Sequence, residues 1–177
     1  MFKKTRVYTA FITAIMLASI ISVTASAGPL YVFYSSAFHD HMYTASESEK
    51  NTLQNHYYSG IESYAYQGTM GWVSTSYYDG SMPVYRFWNE TTKDHFYTAD
   101  ASEKAQLEAN YYSGRDDYVY EGIAFYASVW GNQVYRFFDP IHYDHFYTND
   151  LDEKTNLCDL ARTGYTDYKY EKVAWYE

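Results

Sequence analysis

A single cysteine, Cys158, stands in 177 residues, which excludes an internal disulfide framework. Basic residues are scarce too: 13 Lys and Arg face 22 Asp and Glu, for a formal charge of −9. Nucleic acid and anionic membrane surfaces both attract cations, so neither is an expected partner. No Gly-rich phosphate loop, zinc-protease helix or nucleophile-elbow pattern occurs. Catalysis and cofactors are therefore not expected. Beyond residue 23 there is no second long apolar run.

The first apolar run reads as a targeting segment. Lys3, Lys4 and Arg6 precede "VYTAFITAIMLASIISV", and "ASA" at Ala25–Ala27 matches a small-residue cleavage pattern. The expectation is a signal peptide over 1–27, then one domain over 28–177, secreted and extracellular, with no membrane span after cleavage. Such cleavage removes three of the 13 basic residues and none of the 22 acidic ones, taking the formal charge from −9 to −12.

What the chain has in abundance is aromatic: 24 Tyr, 10 Phe and 4 Trp. Without disulfides, burial of such side chains must hold the fold, and each buried Tyr hydroxyl needs a partner. These residues recur with a period. Residues 30–73, 84–127 and 134–177 superpose without a gap, and twelve of the 44 columns are identical in all three. Among them are "DHMYT" at Asp40–Thr44 and "DHFYT" at Asp94–Thr98 and Asp144–Thr148.

Each unit reads strand, strand, helix, strand. "VYRFW" and "HFYT" are β-branched and aromatic. Ser46…Glu49, Asp100…Glu103 and Asp150…Glu153 have capping-box spacing. Leu53, Leu107 and Leu157 anchor the helices, and Gly60, Gly114 and Gly164 come where a left-handed residue stops them. Cys158 replaces Gln54 and Glu108, which places it on an exposed helix face. "YYDGSMP" and "WGNQ" carry turn signals between units. Neither "LYVF" nor "VAWYE" looks like the polar cap of an open stack. The expected fold class is α+β, mainly β: three ββαβ repeats in a closed pseudo-threefold arrangement, a trefoil-like or small propeller-like globule.

Arg86 and Glu121 recur as Arg136 and Glu171, but the first unit has Val32 and Gln67 in those columns. Arg and Glu are both present or both absent, which predicts a partly buried ion pair in units two and three.

In a strand, His95 and Tyr97 point opposite to Asp94 and Phe96. Adjacent Asp and His therefore cannot couple with each other, although they could across units. As scaffold, the motif would repeat because every unit needs the same joints. As a binding site, its Tyr, His and Arg beside an aromatic platform would suit sugars, whose apolar faces stack and whose hydroxyls hydrogen-bond. Three such sites would gain by avidity on a polymer. As a metal site, His41, His95 and His145 would have to gather near the axis, with no local ligand spacing in support. An enzyme would need one copy to depart at a working position, and the departures assemble no acid–base pair.

The unit resembles a secreted tyrosine-rich repeat family of unknown function with the pattern "VYRFYN", "HFYT", a short Glu-containing helix and "YEGIAFY". Here it appears as "VYRFWN…DHFYT…SEK…YVYEGIAFYA" and "VYRFFD…DHFYT…DEK…YKYEKVAWY", with "LYVFYS…DHMYT…SEK…YAYQGTMGW" the most divergent. In that family the repeats often sit beside cell-wall lysins, glycoside hydrolases or peptidases. The resemblance implies attachment to glycan or cell-surface polymer.

The reading is thus a non-catalytic binding module for cell-wall or extracellular carbohydrate. The polar site residues are Arg86, His95 and Tyr97, Arg136, His145 and Tyr147, and His41 and Tyr43. Trp88 and Phe138 are the stacking platforms. A structural or protein–protein role, as in an adhesin or envelope protein, is the alternative, and a metal-dependent hydrolase is third.

Overall fold

Eleven elements run in the order β1 (Ala27–Ser35), β2 (Asp40–Thr44), α1 (Glu47–Tyr58), β3 (Tyr64–Ser74), β4 (Ser81–Asn89), β5 (Asp94–Thr98), α2 (Ala101–Tyr112), β6 (Tyr118–Asp139), β7 (Asp144–Thr148), α3 (Leu151–Thr163) and β8 (Lys169–Tyr176). They come from a computed structural model that describes residues 27–61 and 63–177. The expected signal segment, apart from Ala27, lies outside the described residues. The protein is mainly β, one curled antiparallel sheet of eight strands with three helices.

The motif strands β2, β5 and β7 pair with β1, β4 and β6 in the same register: Tyr34 opposite His41, Trp88 opposite His95, Phe138 opposite His145. Each hairpin turn ends on a residue with positive φ, His39, Lys93 or Tyr143. Those positions carry side chains where glycine is easier, so the paired strands on either side must hold the turn closed. On their other edge β1, β4 and β6 pair with β3, β6 and β8.

One expectation is corrected. "WGNQ", read as a turn between units, lies inside β6, which runs unbroken for 22 residues and serves two ladders. A local bulge replaces the turn. Ser128 and Gln133 both oppose Tyr176, and Gly131 has φ +129°, where a Cβ would meet the Glu177 carbonyl oxygen at 2.2 Å. Only glycine fits such a bend and such a close approach.

The helices start where the spacing predicted. Ser46, Asp100 and Asp150 are N-caps that accept from the backbone of Glu49, Glu103 and Glu153. The reciprocal half of the box is replaced. Thr44, Thr98 and Thr148, the last residues of the motif, accept from the N-cap N–H groups at 3.0 Å each. That leaves the three Glu side chains free to point elsewhere. Leu53 is the one buried helical residue among those described, so the helices lie outside a core made by strands.

That core gathers Tyr43, Tyr97 and Tyr147 with Leu30, Val84, Val134, Phe125 and Trp175. The three tyrosine rings meet edge to face, at centroid distances of 5.2 to 5.7 Å. No described helix is long and apolar enough to cross a membrane.

Candidate functional site

The Asp and His of the motif couple, and across units. Asp40 accepts from the backbone N–H of His95 and contacts its Nδ1 at 2.6 Å. Asp94 does the same to His145, at 2.7 Å. Asp144 does it to His41, at 2.7 Å, so the contacts run in a cycle. Tyr64 and Tyr118 donate to Asp40 and Asp94 as well. The metal reading called for three histidines together. Instead, three aspartates bring carboxylate oxygens within 4.8 Å of one another, and every carboxylate oxygen of the three already has a protein partner. Burial pushes the Asp144 carboxyl above its ordinary range, and the His41 contacts pull against that shift.

The tyrosines form a second cycle. The Tyr97 hydroxyl accepts from Tyr43 N–H, Tyr147 from Tyr97, and Tyr43 from Tyr147, at 2.8 to 2.9 Å. The Tyr43 and Tyr147 hydroxyls then donate to the carbonyls of Tyr147 and Tyr97. Burial raises the pKa of all three phenols. These side chains hold strands to one another deep in the core.

The arginines reach both ways. Arg86 contacts Glu121 through Nε at 2.7 Å and donates through Nη1 to Glu49, the freed first-turn residue of α1. Arg136 contacts Glu171 through Nε and takes Glu103 of α2 in a two-pronged grip at 2.9 and 3.0 Å. Its guanidinium also lies 4.6 Å above the Phe96 ring. The covarying pair is therefore present, with a third member from the preceding helix that sequence reasoning missed. Its signal was the capping-box Glu column itself. Burial pushes the Glu103 carboxyl up, yet Arg136, Thr98 and Lys172 outweigh it and hold it down at about 2.

The platforms flank the histidines. Tyr34, Trp88 and Phe138 lie against His41, His95 and His145 with ring centroids 4.5 to 4.8 Å apart. Beside Trp88 opens a cleft of about 580 Å³, within the range of small-ligand sites. Phe38, Ile61 and Tyr64 wall it together with Trp88, and His95 and Glu121 supply polar groups. His95 Nδ1 is fixed by Asp40, which leaves Nε2 facing Glu121 at 4.0 Å. Beside Tyr34 a smaller cleft of about 340 Å³ is lined by His39, His142, Asp139 and Tyr165.

Of the expected site residues, the Trp88 cleft brings together Trp88 and His95. Arg86 and Arg136 lie in ion clusters. Tyr43, Tyr97 and Tyr147 are core, His41 and His145 are joints, and Phe138 is a half-buried platform on its own hairpin. Sequence reasoning missed Phe38 and Ile61. Both are large apolar side chains in turns, 41% and 68% exposed, at columns that hold Thr92 and Arg115 in the second unit. An apolar residue where the second unit is polar was the available signal.

A family model described as a domain of unknown function, DUF5648, matches residues 6–128 and 105–177, and the chain belongs to that family. No curated protein and no solved structure matches it.

Proposed function

We propose that the protein is a secreted, non-catalytic module that binds cell-wall or extracellular carbohydrate in the cleft beside Trp88. The observation that carries this reading is the make-up of that cleft, an aromatic and aliphatic wall with an imidazole and a carboxylate at one side. The apolar face of a sugar ring stacks on Trp88 or Phe38, and its hydroxyls hydrogen-bond to Glu121 and His95 Nε2. Neither polar group has to change its charge to do this.

The scaffold that presents the cleft is read as three repeats closed around a pseudo-threefold axis. The Asp–His and Tyr–Tyr cycles support that reading, since each links the three motif strands in turn. The copies are unequal as sites. The counterparts of Phe38 are Thr92 and His142, so one cleft dominates and avidity from three equal sites is not part of the proposal.

A protein partner is the second reading, favoured by Trp72 and Trp130, which are 65% and 74% exposed. A screen of glycans and peptidoglycan against the protein and its Trp88→Ala and Trp72→Ala variants separates the two. Glycan binding lost with Trp88→Ala and kept with Trp72→Ala supports the carbohydrate reading. Absence of glycan binding rejects it.

A further inference from the structure

Three places that the sequence repeat makes equivalent differ in one side chain. Arg86 stands between Glu49 and Glu121, and Arg136 stands between Glu103 and Glu171. At the third place the arginine column holds Val32 and the second carboxylate column holds Gln67. The surroundings of an arginine nevertheless remain. Phe146 occupies the column of Phe96, and His41 packs against its ring at 5.1 Å as His145 packs against Phe96 at 4.8 Å. Glu153 stands in the first turn of α3 as Glu103 does in that of α2.

Glu153 is exposed and has no ion-pair partner among the described residues. Lys172, which reaches Glu103 at 3.2 Å, is replaced in the first unit by Gly68, around which a Cβ would meet nothing within 4 Å. Two recesses, of about 270 and 200 Å³, share Phe146 and Glu153 as walls. Val32, Gln67, Gly68 and Met70 are among the other walls of the larger one, with Asp150 as a second carboxylate. Both are smaller than the ~300–1,000 Å³ of drug-sized sites, a scale that suits one side chain.

We infer that this recess is a receptor for a guanidinium group supplied from outside the chain, the arginine side chain of a peptide or protein partner. The Glu153 carboxylate takes two N–H groups side by side, as Glu103 does for Arg136. Phe146 lies under the plane of the cation. The Gln67 amide donates to the Ala65 carbonyl at 3.3 Å, which leaves its oxygen to accept a third N–H. A planar fork of donors fits this set, and the compact ammonium of lysine does not. The acidity of the chain, −9 in formal charge, favours a cationic ligand from a distance. The site is separate from the Trp88 cleft, and the inference does not depend on the carbohydrate reading.

The test is an NMR titration of the protein with N-acetyl-arginine N-methylamide, with the lysine and citrulline analogues alongside. The expected result is saturable shifts at Gln67, Gly68 and Phe146 for the arginine compound, with no saturation by citrulline. Glu153→Gln is expected to weaken the binding about tenfold or more, since hydrogen bonds between charged groups carry that much. Val32→Arg with Gln67→Glu rebuilds the internal cluster and is expected to abolish binding while raising Tm. Should that double variant fail to fold, the Glu153→Gln arm decides. Lack of saturation, equal binding of citrulline, or unchanged binding in Glu153→Gln overturns the inference.

Discussion

The junctions at Arg136 and at Val32 use the same columns of the repeat and reach opposite states. At Arg136 a side chain that is 5% exposed has its guanidinium held by two carboxylates and an aromatic face. At Val32 the ring and one carboxylate remain and the cation is gone, so Glu153 turns to solvent and a recess opens. A repeat can thus keep its scaffold and free a position by losing one charge together with its partner. Losing the arginine alone would have stranded a carboxylate in the column of Glu121 and Glu171, and the Val32–Gln67 combination avoids that. The motif strands show the other side of the same lesson. Asp, His, Tyr and Thr do not vary among the three copies because each closes a contact to the neighbouring unit or to the helix next in the chain.

The comparison breaks most sharply at the filled junction. Arg136→Met leaves Glu171 without its arginine and Glu103 with Lys172 alone, and the expected loss is about 3 kcal/mol, measured by urea unfolding. Adding Glu103→Gln and Glu171→Gln is expected to recover most of it. A loss that the extra substitutions leave unchanged contradicts an ion cluster as the cause. Arg86→Met is expected to cost less, because Arg86 is 18% exposed and the first unit has Met42 in the column of Phe96.

A smaller effect is expected in the core. Tyr147→Phe leaves the Tyr97 N–H and carbonyl without their shared hydroxyl. An unsatisfied buried group costs about 1–3 kcal/mol; Tyr43→Phe is expected to match it, while Tyr97→Phe strands the Tyr43 N–H alone and is expected to cost less. A marked inequality between Tyr43→Phe and Tyr147→Phe would break the cycle as an account of the core. At the open junction the sign reverses: Val32→Arg with Gln67→Glu is expected to stabilise by about 1 kcal/mol, seen as a higher urea midpoint.

The smallest effect is a pH dependence. The Glu103 carboxyl is held down at about 2 in the fold, below the ~4.3 of an unstructured glutamate. Its contribution is complete above that ordinary value and drains away as pH falls towards 2. Asp144 acts with the opposite sign, since a raised carboxyl pKa favours the fold at lower pH. The gap in urea midpoint between the protein and Glu103→Gln is therefore expected to narrow between about pH 4.5 and 2. A constant gap would contradict the Arg136 contact.

Much of this was legible in the sequence because it is local or repeated. Strand alternation, the caps at Ser46, Asp100 and Asp150, the glycine stops and the Arg–Glu covariation all come from spacing. What was not legible depends on which units meet. Spacing shows that His95 and Asp94 face apart, but only the fold shows that Asp40 is the partner of His95. The same limit hid the nature of the tyrosines. A column of Tyr43, Tyr97 and Tyr147 suits a sugar site and a hydrogen-bonded core equally well, and burial alone decides. The continuous strand through Gly131 was missed because a glycine bend and a turn share one composition. The Trp88 cleft was half visible, since Phe38 and Ile61 come from turns whose approach to Trp88 no periodicity records.

The most direct test of the account is glycan binding by the protein and by Trp88→Ala and Glu121→Gln, with Tyr97→Phe as a control for the core. The account predicts carbohydrate binding that Trp88→Ala abolishes, Glu121→Gln weakens, and Tyr97→Phe leaves intact in its folded fraction. Binding that survives Trp88→Ala, or no binding to any glycan, would contradict it.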